Sequence, residues 1–226
     1  MIDTVLFDLD GTLLDTGQDI AHAFNALRAE QGHAPVPYRA LRDCVSHGAT
    51  AIMRCGYPDL QPGAEFDAMR ARFLDLYAGN IAQHTRLFDG WAEVLDTLEA
   101  DGLRWGVVTN KPAWLTDPLL GALRLTDRAA CAVSGDTTPY SKPHPAPILR
   151  GCEIAGTTPA AAVYVGDAER DVQAGRAAGL RTAIALFGYI GPEDRPHDWG
   201  ADALLDAPAD LTAWLDTLGR SKELRA

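Results

Sequence analysis

The segment Thr4-Val5-Leu6-Phe7-Asp8-Leu9-Asp10-Gly11-Thr12 begins as a short apolar run and breaks off in an acidic turn. A run this short, bounded by Asp and Gly, reads as a buried strand followed by a loop. The same transition recurs down the chain. Residues 103–108, apolar but for Arg104, read as a strand ending at Thr109-Asn110-Lys111-Pro112, and residues 162–165 end at Gly166-Asp167. Further short strands are predicted near 131–134, 182–186 and 203–205. Helical spacing of apolar residues marks 91–100, 113–123, 145–155, 170–178 and 209–218. Strands alternating with helices predict an α/β fold built on a doubly wound parallel sheet.

Between residues 15 and 85 the pattern changes. Ile20, Phe24 and Leu27 recur at helical spacing until Gly32, Pro35 and Pro37 interrupt them. Two more helical segments, about 38–54 and 64–82, are separated by Gly56, Pro58, Pro62 and Gly63. This stretch carries no strand signal. It predicts a small all-helical unit inserted after the first strand, spanning 15–86, with the α/β core formed by 1–14 and 87–226.

The 226 residues carry 20 basic and 31 acidic side chains, a formal net charge of −11. An acidic field disfavours nucleic acid and anionic membrane surfaces as partners, since both demand a basic face. An anionic small molecule needs only a local cluster of cations. No apolar stretch approaches the ~20 residues of a membrane span, and Met1-Ile2-Asp3 does not read as a secretion signal. Cys44, Cys55, Cys131 and Cys152 form no CxxC pair and no zinc-ligand spacing. They predict four buried, reduced thiols and a cytoplasmic protein, monomeric or dimeric.

Polar residues collect where strands end: Asp8 and Asp10, then Thr109 and Asn110, then Asp167. Open α/β sheets bind ligands at that edge. Each such residue taken singly could cap a helix; the whole set on one edge points to chemistry. A carboxylate can attack phosphorus and divide a hard hydrolysis into two easier steps. Several carboxylates together repel one another and call for a hard cation with oxygen ligands, which suits Mg²⁺. Only three of the 20 basic residues are lysines, and two of these, Lys111 and Lys142, fall in loops on the same edge. A compact ammonium approaches a phosphoryl oxygen beside a carboxylate better than a planar guanidinium does.

The order and spacing of these residues resemble the haloacid dehalogenase superfamily of phosphatases over essentially the whole chain. Asp8-Leu9-Asp10-Gly11-Thr12 matches its first motif and Val108-Thr109-Asn110 its second. Ser141-Lys142-Pro143 matches the third, and Gly166-Asp167 with Asp171 the fourth. The resemblance implies Asp8 as nucleophile and Asp10 as general acid/base. It implies Thr109, Asn110 and Lys142 as phosphate-binding residues. Mg²⁺ would be held by Asp8, Asp10 (through its main-chain carbonyl) and Asp167, with Asp171 in support. The inserted helices are similar to the cap of the phosphoglycolate phosphatase group. The segments from Trp105 to Pro112, Phe187 to Ile190, Pro192 to Asp194 and Trp199 to Asp202 resemble the same group and, within it, the subgroup acting on N-acetylmuramic acid 6-phosphate in cell-wall recycling. Asp10 separates the chain from haloacid dehalogenases, which lack an acid there. The absence of lysine between Asp15 and Thr85 separates it from phosphonoacetaldehyde hydrolases. A sugar phosphate mutase of the β-phosphoglucomutase type shares the layout. A noncatalytic phosphoacceptor or binding module is the alternative outside enzymes.

Ser46-His47-Gly48-Ala49-Thr50 interrupts a helical segment of the insertion and resembles the family's specificity loop. His47 and Gly48, or a nearby arginine such as Arg42 or Arg54, are expected to meet the non-reacting end of the substrate. His47→Ala is expected to raise KM or change substrate preference, as steady-state kinetics on several phosphate esters would reveal.

Overall fold

The computed structural model describes residues 1–219; residues 220–226, the end of the predicted core segment, lie outside the described residues. Strand β1 (Thr4–Phe7) is buried along its whole length. It pairs in parallel with β4 (Arg104–Val108) on one side and with β6 (Ala162–Gly166) on the other. The sheet continues through β5 (Ala132–Val133) beyond β4, and through β7 (Arg181–Ala185) and β8 (Ala203–Leu205) beyond β6. The order β5-β4-β1-β6-β7-β8 reverses direction at β1. Parallel strands joined by helical crossovers end on one edge, so the loops after β1, β4 and β6 meet there.

The strands alternate sides with a period of two residues. Val5 and Phe7 of β1 pack with Val107, Val163 and Val165 beneath α5 (Trp91–Ala100) and α9 (Asp210–Leu218). Leu6 points the other way, among Val108, Tyr164, Ile148 and Ala174 beneath α7 (Ala146–Ala155) and α8 (Glu169–Ala177). Both faces are covered, which is why the strands read as continuous apolar runs. Helix α6 (Ala113–Ala122) adds Leu119 and Leu120 to the first of these cores.

The chain leaves the sheet through β2 (Leu14–Asp15) and returns through β3 (Arg86–Leu87), a two-stranded antiparallel ribbon. Between them lie α1 (Gly17–Glu30), α2 (Tyr38–Leu41), a 3₁₀ turn at Arg42–Cys44, α3 (Gly48–Gly56) and α4 (Ala64–Ala78). Ile20, Phe24 and Leu27 of α1 pack on Phe73 and Tyr77 of α4. Leu115 and Tyr189, from outside the insertion, complete that cluster and seat the helices on the sheet edge. The single helical segment expected over 38–54 is broken in three, and Gly48, at φ +81°, makes the turn into α3. Few residues other than glycine enter that region readily.

The cysteine expectation is corrected. Cys44 and Cys55 form a disulfide with Cα atoms 7.1 Å apart, whereas Cys131 and Cys152 are free and buried. The turn at Gly48 folds α3 back on the 3₁₀ turn and brings the first pair together, a juxtaposition that a spacing of 11 residues does not announce. Burial pushes the Cys131 thiol up to about 12 and Cys152 up to about 11, so both are inert at neutral pH.

Buried Asp19 of α1 holds the returning chain. Its carboxylate accepts hydrogen bonds from the His84 N–H at 2.9 Å, the Thr85 N–H at 2.9 Å and the Thr85 hydroxyl at 2.7 Å. Asp19→Ala leaves these donors without an acceptor and is expected to cost about 2–3 kcal/mol, read from the urea midpoint at unchanged m-value.

Candidate active site

Asp8 directly follows β1 and is 4% exposed. Its Oδ1 accepts the Leu9 N–H at 2.8 Å and lies 2.9 Å from Nζ of Lys142. Burial by itself would raise this carboxyl. The charges of Lys142 and Arg170, with the hydrogen bonds from Lys142 and Leu9, outweigh it and hold Asp8 below the usual carboxylate range. Asp8 is therefore an anion at neutral pH.

Lys142 has no exposed side-chain surface, and its Nζ also lies 2.7 Å from Oδ1 of Asp171. It donates to the Tyr164 hydroxyl at 2.7 Å, which in turn donates to the Val108 carbonyl at 2.7 Å. Burial, then the charges of Asp171 and Asp8, raise the Tyr164 pKa, so the phenol stays neutral and acts as a fixed dipole behind the ammonium. Tyr164 lies within β6, where it reads from sequence as an ordinary core aromatic.

Asp10 is engaged separately. Lys111 Nζ donates to its two carboxylate oxygens at 2.9 and 3.1 Å, and the Thr16 hydroxyl donates at 2.7 Å. Lys111 also donates to the Tyr77 hydroxyl of α4 at 3.1 Å. Burial pulls the Lys111 pKa down, but Asp10 and Tyr77 push it up further, so the ammonium persists. The turn containing Asp10 is pinned from below by Trp91, whose Nε1 donates to the Thr12 carbonyl at 2.7 Å. Gly11 sits at φ +86°, and a Cβ there would stand 2.1 Å from Oδ2 of Asp167, so the turn passes this carboxylate only because the residue lacks a side chain.

Asp167 ends β6 and Asp171 lies in the first turn of α8. Oδ2 of Asp167 accepts the Ser46 hydroxyl and the Tyr189 N–H, the latter at 2.9 Å, while Oδ1 faces the Thr12 hydroxyl at 3.3 Å. Burial, followed by the charges of Asp8 and Asp171, pushes Asp167 up to about 7. Asp171 is raised by burial and by Asp8 against the pull of Lys142. Carboxylate oxygens of Asp8, Asp167 and Asp171 lie within 4.8 Å of one another, all buried. Three hard oxygen donors, two of them driven upward by burial and then by the neighbouring acids, fit a divalent cation, whose charge would relieve both.

Thr109 follows β4 and is buried, its Oγ1 accepting the Lys111 N–H at 3.2 Å. Asn110 is turned toward the third motif. Its Oδ1 accepts the Lys142 N–H at 2.9 Å and its Nδ2 donates to the Lys142 carbonyl at 3.0 Å, clamping the two loops together. A cavity of about 290 Å³ lies above, between the sheet edge and the inserted helices. Asp8, Asp10, Thr109, Asn110, Lys111 and Arg170 line it from the core; His47, Gly48, Arg70 and Tyr77 line it from the insertion.

Two arginines singled out from sequence do not reach this cavity. Arg42 donates to the Gly188 carbonyl at 2.8 Å and lies over the Tyr189 ring. Arg54 is exposed on α3. The residues that sequence reasoning missed include Arg170, Ser46 and Arg70. Arg170 reaches from α8 to the Ser46 carbonyl and lowers the Asp8 pKa. Its place one residue before Asp171 was the available signal. Ser46 opened the segment read as a specificity loop, but nothing in the sequence tied it to Asp167; Arg70 carried no signal.

The sequence model describing haloacid dehalogenase-like hydrolases matches residues 5–185. The chain belongs to that family. An N-acetylmuramic acid 6-phosphate phosphatase of Pseudomonas putida is 42% identical over 214 residues, 94% of this chain and 96% of the relative. A phosphoglycolate phosphatase of Xylella fastidiosa is 43% identical over 205 residues, 91% and 89% of the two chains. Among solved structures, a predicted phosphoglycolate phosphatase from Haemophilus somnus superposes with a TM-score of 0.83 at 26% identity, covering 95% of this chain and 98% of its own.

A carboxyl raised by folding keeps a proton that the unfolded chain has released. The stability contributed by protonated Asp167 is complete below the ordinary carboxylate value of 3.8 and is lost as pH rises through about 7. In chelator, Tm is expected to fall between about pH 4 and 7, and Asp167→Asn to flatten that fall. A Tm that rises across this interval would contradict the assigned electrostatics.

Proposed function

We propose that this chain is a phosphomonoester hydrolase, Mg²⁺-dependent and cytoplasmic, that cleaves a small phosphorylated metabolite through an aspartyl-phosphate. The observation that carries the reading is that Asp8 and Asp10 line one cavity while being held by different lysines. Asp8 is kept anionic by Lys142 at its buried end, and Asp10 is oriented by Lys111 and Thr16. One carboxylate is prepared to attack and the other to handle a proton, and neither can take the other's place.

In this mechanism an Asp8 oxygen attacks phosphorus as Asp10 protonates the departing ester oxygen. Asp10 then takes a proton from the water that attacks the aspartyl-phosphate, releasing inorganic phosphate and restoring Asp8. The Thr109 hydroxyl and the Lys142 ammonium stabilise charge on the transferring group. Asn110 serves by fixing the Lys142 backbone. Asp8, the Asp10 carbonyl and Asp167 would hold Mg²⁺, with Asp171 behind them; the ion would supply positive charge against the phosphoryl oxygens. Residues 15–86 act as the cap that closes over the site and shuts out bulk solvent, leaving room for the one attacking water. The names of the relatives support phosphoglycolate and N-acetylmuramic acid 6-phosphate as substrates to test first.

A phosphate-release screen over these two esters, hexose phosphates and para-nitrophenyl phosphate tests the reading, with and without Mg²⁺. Asp8→Asn is expected to lower kcat by at least about a thousandfold with the fold retained by circular dichroism. Chelation is expected to abolish turnover reversibly. Substantial turnover by Asp8→Asn removes the nucleophile assignment.

A further inference from the structure

Arg70 is placed where none of the reacting groups needs it. It lies on α4 with Phe73, Leu74 and Tyr77, residues spaced so that they share one helical face, and all four line the cavity. Tyr77 marks the reacting end of that face, because its hydroxyl accepts from Lys111 beside Asp10. From Tyr77 to Arg70 is two helical turns, about 10 Å along the axis. The intervening wall is apolar, with Phe73 and Leu74 on α4 faced by Ile52 and Leu115.

Arg70 is under-occupied. Among the described residues its Nε is buried without a hydrogen-bond partner. It pairs with Asp67, on the same helix, at 3.7 Å, with 41% of the Arg70 and 69% of the Asp67 side chain exposed, so the pair is loose and the outer guanidinium nitrogens stay open to a ligand. A buried N–H donor left unmet is unfavourable, and a guanidinium fork matches a carboxylate in two parallel hydrogen bonds.

We infer that Arg70 binds a substrate carboxylate at the end of the cavity remote from phosphorus, and that the substrate is a carboxylated sugar phosphate. This inference rests on the proposed phosphatase reading. Phosphoglycolate and N-acetylmuramic acid 6-phosphate both carry a carboxylate, but at different distances. In phosphoglycolate one oxygen and one methylene separate phosphorus from the carboxyl carbon, a link shorter than the two helical turns between Tyr77 and Arg70. In N-acetylmuramic acid 6-phosphate the lactyl carboxylate stands across a pyranose ring from the phosphate. The ring's C–H face suits the apolar wall, and the length suits two turns of helix.

The test compares kcat/KM for N-acetylmuramic acid 6-phosphate, N-acetylglucosamine 6-phosphate and phosphoglycolate. The first two share ring and phosphate and differ by the lactyl group. The wild type is expected to prefer the first over both others by at least about tenfold. Arg70→Ala is expected to lower the ratio of the first to the second by about 10- to 100-fold, with Arg70→Lys between. Such a ratio, taken on one preparation, does not depend on the fraction of molecules folded. A wild type that favours phosphoglycolate, or a ratio that Arg70→Ala leaves within twofold, overturns the inference while leaving the phosphatase reading intact. A wild type that releases phosphate from no ester, para-nitrophenyl phosphate included, overturns both.

Discussion

Two buried carboxylates need positive charge between them. Lys142 provides it, standing 2.9 Å from Asp8 and 2.7 Å from Asp171 with no exposed side-chain surface. Stripping an ammonium of water is costly unless its partners are close and its hydrogen bonds are made. Here Tyr164 accepts one of its protons and Asn110 holds its backbone by two hydrogen bonds. The segments that follow β1, β4 and β6, and the loop carrying Lys142, are therefore tied to one lysine, through its ammonium or its backbone. The sheet order places those loops side by side, and the ammonium allows their acids to remain there.

The same cluster extends into the helical insertion. Ser46 donates to Asp167, Arg170 donates to the Ser46 carbonyl, and Lys111 donates to Tyr77. Each contact joins a residue of the insertion to one touching the acids. Movement of the helices away from the sheet edge would break all three together, so access to the cavity and the electrostatics of the acids are linked by geometry. Tyr189 adds a fourth tie, with its N–H on Asp167 and its hydroxyl donating to Asp15, where the insertion begins.

The parallel sheet was readable because apolar runs and polar ends alternate in the chain, and a strand buried on both faces leaves that mark. Trp91–Ala100 and Ala203–Leu205 fall where the periodicity puts them. The break in the insertion was readable as Gly48, although not the direction of the turn, which α3 takes by packing Ile52 and Met53 into the helical core. The disulfide was unreadable for the same reason. It depends on where that turn carries Cys55, and a separation of 11 residues fits many arrangements.

Asp8, Asp10, Thr109 and Asp167 could be picked out from the chain alone, because each follows an apolar run and so declares itself as out of place; Lys142 stood out as one of three lysines, and Asp171 through the motif it completes. Residue type and order suffice for that. Partnership is different. Tyr164 looks like core packing until its hydroxyl is seen between Lys142 and the Val108 carbonyl. Ser46 and Asp167 are 121 residues apart and meet through the docking of one helical unit on another layer. Arg70, one arginine among many in the chain, gains its place from the face of α4 turned toward the cavity. Which charges are shared, which are left unmet, and how far apart the two ends of the cavity stand are properties of packing, because Coulombic and hydrogen-bond energies depend on distances that chain order does not contain.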